Sequence, residues 1–131
     1  MTELALVASR FRQRIGRHLT AITESRHWFQ GHRQGDAQSL VHAWLHFEAN
    51  PPLWLHSCGE VVEIAEQEPG DSFDMDEYGE IRIAPTKAPD LLASVVGRRL
   101  TGVDIYQGYT AQPQCGGFVL NFDSVGHLML G

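Results

Sequence analysis

Cysteine is scarce: the 131-residue chain has two, Cys58 and Cys115. A single pair is a poor disulfide framework, so both are expected to be reduced and the protein cytoplasmic. Long apolar runs are missing as well, and no window of about 18 apolar residues suggests a membrane span. Residues Met1 to Gly16 carry Arg10, Arg12 and Arg14 but no apolar stretch with a small-residue cleavage site, so no signal peptide is expected. The chain also lacks a phosphate-binding Walker loop, a dinucleotide fingerprint and a GxSxG elbow. With none of these, no catalytic residue, cofactor or bound metal is expected, and the protein reads as a non-enzyme.

Basic residues are absent where acidic ones are dense. Glu60, Glu63, Glu66, Glu68, Asp71, Asp74, Asp76, Glu77 and Glu80 fall within 21 residues that hold no Lys or Arg. This stretch carries −9, and the small positive charges of the flanking segments bring the net charge to −6. Nucleic-acid binding needs a basic stripe, so a nucleic acid is not expected as ligand. An acidic stretch suits a basic protein partner. Phe73, Met75 and Tyr78 interleave with the acids, a mixture that fits an interface better than a solubilising tail. Asp74 to Gly79 superficially resembles a calcium loop. Tyr78 stands at the third ligand position and Pro85 where the closing Glu belongs, so an EF-hand is rejected.

The positive content of the chain is a repeated pattern. Ile15-Gly16-Arg17-His18-Leu19-Thr20-Ala21-Ile22 matches Val96-Gly97-Arg98-Arg99-Leu100-Thr101-Gly102-Val103 at an offset of 81 residues. Leu45-His46-Phe47-Glu48 and Leu53-Trp54-Leu55 match Leu120-Asn121-Phe122-Asp123 and Leu128-Met129-Leu130 at an offset of 75. Each copy reads as a helix stopped by glycine, a strand and a hairpin. The expected helices run from about Glu3 to Arg14, capped by Thr2, and from Leu91 to Val96. The strands run from about Arg17 to Glu24 and Arg98 to Tyr106, with a bulge near Gly102. Loops over His27–Gln38 and Gln107–Cys115 lead into the hairpins. Val61 to Ala65 and Ile81 to Ile83 read as further strands. The expectation is a single α+β domain over 1–131, with pseudo-repeats at about 3–66 and 89–131 and an acidic linker loop at about 66–80. Its mostly antiparallel curved sheet or half-open barrel would have about six to eight strands and two helices on one side.

Leu45, Phe47, Leu53 and Leu55 are expected on the core face of the first hairpin. His42, Trp44 and His46 then share the opposite face with Trp54 and His56. Pairing Phe47 near Leu53 sets His46 beside Trp54 and Trp44 beside His56. One metal ion is poorly served, because same-face residues two apart are nearly 7 Å apart and Trp44 separates His42 from His46. Exposed Trp suits a recognition surface. Cys58 with His56 makes a weak thiol-enzyme pattern, since no oxyanion donor is expected beyond Gly59.

The helix ending in glycine, the Arg-x-Leu after it and the strand pair Phe118–Asp123 and Gly126–Leu130 are similar to small immunity proteins of bacterial polymorphic-toxin and contact-dependent inhibition systems. The resemblance implies inhibition without catalysis, by occupation of a cognate toxin's active-site surface. Were that toxin a nuclease, its groove would be basic, and the run from Glu60 to Glu80 would take the place of phosphates. The expected partner-binding residues are Glu66, Glu68, Asp71, Asp74, Asp76, Glu77 and Tyr78, with Trp44, Trp54 and His46 as a second surface. Two other readings stay open: a small metal-dependent hydrolase using His42, His46 and His56, and a structural homo-oligomer. Monomer and homodimer are both compatible with the sequence.

Overall fold

The computed structural model describes residues 3–58, 61–107, 115–123 and 126–130. The chain is α+β and its strand pairings are antiparallel. In order, the elements are α1 (Glu3–Arg12), β1 (Leu19–Trp28), α2 (Asp36–Ser39), β2 (Leu40–Phe47), β3 (Leu53–Cys58), β4 (Val61–Glu66), β5 (Phe73–Asp74), β6 (Glu80–Pro85), β7 (Leu100–Gln107), β8 (Cys115–Phe122) and β9 (Gly126–Leu130). The strands form two sheets rather than the single curved sheet or half-open barrel expected. Six strands run in the order β4-β3-β2-β1-β6-β5, and three in the order β7-β8-β9. An isolated bridge between His18 and Arg99 joins the sheets.

α1 forms because Val7, Phe11 and Arg14 fall at helical spacing on the buried side, with Arg14 in the turn that ends the helix. Phe11 meets Phe118 of β8 at 4.8 Å between ring centres, pinning the helix to the second sheet. Ala43, Leu45 and Phe47 of β2 join Leu53, Leu55, Leu120 and Phe122 in the core, while Trp44, on the alternate face, is buried as well. The second expected helix is absent. Leu91–Val95 is a 3-10 turn, burying only Leu92 and Val95, too few apolar residues to anchor a longer helix. β1 runs four residues past its expected end because β6 pairs along Thr23 to Trp28. The acidic linker is only partly loop, since β5 and the 3-10 turn Asp76–Tyr78 lie within it.

The two matched segments make reciprocal hydrogen bonds. Gly16 N donates to Leu100 O and Gly97 N donates to Leu19 O, each at 2.7 Å. Leu19 N donates to Arg98 O at 2.8 Å, and Leu100 N to Arg17 O at 3.0 Å. Gly16 and Gly97 share φ +88°, a backbone that only glycine adopts freely. The hairpins correspond as well. Leu19 pairs with Phe47 and Leu100 with Phe122, and each strand then skips a residue before Ala21 or Gly102 resumes the ladder. The amide of His18 donates to Glu48 Oε1, and that of Arg99 to Asp123 Oδ1.

The Thr2 cap, Glu60, most of the Gln107–Cys115 loop and the turn at Ser124 and Val125 lie outside the described residues, as do the side chains of Cys58 and Cys115. Among the described residues, no helix is long and apolar enough to cross a membrane.

Candidate functional site

The acidic segment folds into one wall of a cleft. β1 ends in a tight reversal: Gln30 and Gly31 both take positive φ, and Phe29 and His32 bridge each other. Opposite it lies the turn from Asp74 to Glu80. Asp74 Oδ1 accepts the Asp76 amide at 2.8 Å, Met75 N donates to Gly79 O at 2.7 Å, and the His27 ring donates to Tyr78 O at 2.6 Å. Gly79, at φ +92°, presses against Trp28, where a Cβ would collide with the Trp28 carbonyl oxygen. Between the walls is a cleft of about 480 Å³ lined by Trp28, Phe29, Gln30 and Gly31 on one side and Asp74, Asp76, Glu77 and Glu80 on the other. Phe29, which lines the cleft, is 48% exposed, and Tyr78, in the adjoining turn, is 71% exposed. Glu80 is paired to Arg82, whose guanidinium stacks 3.9 Å over Trp28. Among the described residues, no salt bridge involves Asp74, Asp76 or Glu77.

The remaining candidates scatter. Glu66 is exposed at 38% and pairs with Arg14, whose side chain is fully buried. Burial lowers the Arg14 pKa, and Glu66 opposes that shift. Glu68 and Asp71 are exposed on the segment linking β4 to β5, strands at opposite edges of the larger sheet. Trp44 is 3% exposed and cannot serve a recognition surface. Trp54 is half-buried, and the His46 ring bonds Thr23 Oγ1 at 2.8 Å.

The register of the first hairpin differs from expectation by two. Trp44 pairs with Trp54 and Ala43 with Leu55, which sets His42, not Trp44, beside His56. Their ring centres are 4.7 Å apart, and Trp54 stacks on His56 at 5.5 Å. Burial, then the neighbouring His56, lowers the His42 pKa below 6.5. Burial likewise lowers His46, against the pull of Glu68. The unfolded chain therefore takes up protons near pH 6.5 that the folded chain resists. This part of the stability is complete above 6.5 and is lost as pH falls from 6.5 through the lower folded values. His42→Gln should flatten the decline of the urea midpoint between about pH 7 and pH 5. An unaltered pH slope would contradict this assignment.

Sequence reasoning missed a buried ionic cluster. Arg26 Nη2 lies 2.7 Å from Glu24, 2.6 Å from Asp36 and 3.7 Å from Asp90. Burial alone would lower the Arg26 pKa, but the hydrogen bonds to Glu24 and Asp36 outweigh it and raise it. Arg33 forks onto Asp90 at 2.9 and 2.7 Å, and holds that carboxyl below its usual range. Glu24, Asp36 and Asp90 are also the only trio of ligand-type groups that converge closely among the described residues. Arg26 already supplies the cation they surround. The only sequence signal was the alternation of Glu24 and Arg26 on one strand face.

No protein-family model matches this chain, and no curated protein or solved structure shows significant similarity to it.

Proposed function

We propose that this chain is a non-catalytic protein-binding domain, an immunity protein that acts in the cytoplasm by covering the active-site surface of a cognate basic toxin. The observation that carries the reading is the cleft between Trp28–Gly31 and Asp74–Glu80. It joins three carboxylates without salt-bridge partners to exposed aromatic rings at a position held by backbone hydrogen bonds. Such a surface steers a basic partner by long-range attraction and holds it by desolvated aromatic contact. A toxin nuclease, with a groove built for phosphates, presents the complementary charge. The reciprocal bonds of the matched segments support a further element of the proposal, that the fold arose by internal duplication and the acidic segment was added between the copies.

The test begins with the tagged chain as bait in a lysate of its native host. The expected result is a basic protein released by rising salt, toxic when expressed without this chain. Combined Asp76→Asn and Glu77→Lys changes the cleft charge by three. Asn tolerates the φ of +55° at position 76. This variant should slow association at least about tenfold and flatten its salt dependence. Association unaltered by the double change would remove the cleft from the reading. Recovery of no toxic partner would remove the immunity function.

A further inference from the structure

The correspondence between the halves exposes one difference. In the first half, β1 is covered on both edges, by β2 and by β6. In the second, β8 is the only strand paired with β7 among the described residues; its other edge is met by Gly16 and Arg17 at Leu100 and is open beyond that point. The offset of 81 residues converts the β1–β6 pairs at Thr23, Glu24, Ser25 and Arg26 into positions 104 to 107 of β7. Ile22 O accepts a bond from Thr86 N on the β6 side of β1. By the same register, the N–H and C=O groups of Val103, Ile105 and Gln107 point outward, with no strand among the described residues to receive them.

We propose that the β7 edge is a dimerisation site whose occupant is β7 of a second copy, antiparallel about a two-fold axis at Ile105. The match to a second copy lies in the strand itself. With Ile105 facing Ile105, Val103 faces position 107 and Asp104 faces position 106, so no like charges oppose. The half-buried Val103 and Ile105, which flank the core, gain apolar cover. Pairing by this register supplies roughly six inter-strand hydrogen bonds, and a symmetric contact of this kind closes at two subunits. The acidic residues 74–80 belong to β5, β6 and the turn between them, in the other sheet. The site is thus separate from the partner cleft. An unprotected edge of this kind is a template for another strand. The overlap is short, well under the roughly 1,200 Å² typical of stable complexes, so the dimer is concentration-dependent.

Sedimentation equilibrium of the intact protein, from about 10 μM to 1 mM, should show monomer passing to dimer and no larger species. In the dimer, hydrogen exchange at the Val103 and Ile105 amides should slow as concentration rises. Ile105→Pro removes an outward N–H without removing a β7–β8 bond, and should weaken dimerisation at least about tenfold. The exchange measurement needs no substitution, so it decides the matter even if that variant fails to fold. A monomer throughout, or a dimer in which those amides exchange at a concentration-independent rate, overturns the proposal. Basic-partner binding depends on Asp76 and Glu77 and should persist in Ile105→Pro, so the two readings fail separately.

Discussion

Arg26→Ala should destabilise the fold by about 3–5 kcal/mol, the cost of removing one partner from a buried charge pair. Glu24 is 5% exposed and its carboxylate is held by Arg26 through two bonds, at 3.0 and 2.7 Å. Without the guanidinium it becomes an uncompensated buried anion. Arg26 also donates to Asp36 O and Ser39 Oγ, fastening α2 to β1. The loss should appear as a lower urea midpoint with little change in slope. Replacing both partners, Glu24→Leu with Arg26→Met, should cost much less, because no buried charge is stranded between those two positions. Single and double variants of equal stability loss would mean that the cluster is not the electrostatic lock described.

Phe11→Ala should cost a comparable amount, about 3–5 kcal/mol, through lost transfer energy and the cavity left behind. The ring is fully buried against Phe118. A ten-residue helix is marginal in isolation, so α1 depends on this anchor. Leu6→Ala on the same helix, where the side chain is 41% exposed, should fall within about 0.5 kcal/mol of wild type. Similar losses at both positions would show that α1 is held by something other than its buried stripe.

The matched glycines were legible because each needs the same rare backbone angle, and a sequence records that need locally. Strand identity in the hairpins was legible for a similar reason, since Leu45, Phe47, Leu120 and Phe122 alternate with polar neighbours. The register was not. Asn50-Pro51-Pro52 marks a turn without setting its length, so two pairings buried the same apolar face. Only long-range packing chose the one that sets His42 beside His56. The partners of Arg26 come from its own strand at Glu24, from α2 at Asp36 and from the bend at Asp90, and no local pattern announces such a convergence. The buried state of Trp44 was hidden likewise, because alternation places a side chain on a face without saying what lies over it.

The bonds that Gly16 and Gly97 make each end on the other half's strand. Synthesis from the N-terminus therefore delivers the Gly16 turn long before its acceptor at Leu100 exists. Until most of the chain has emerged, β1 lacks both β6 and the second half's closing bonds, and its edge stands open in the nascent protein. Contacts so distant in sequence slow folding and lengthen exposure. A break between the two matched segments would part these donors from their acceptors. Tethered in one chain, the interlock closes only once the second matched segment, Val96 to Val103, has been made.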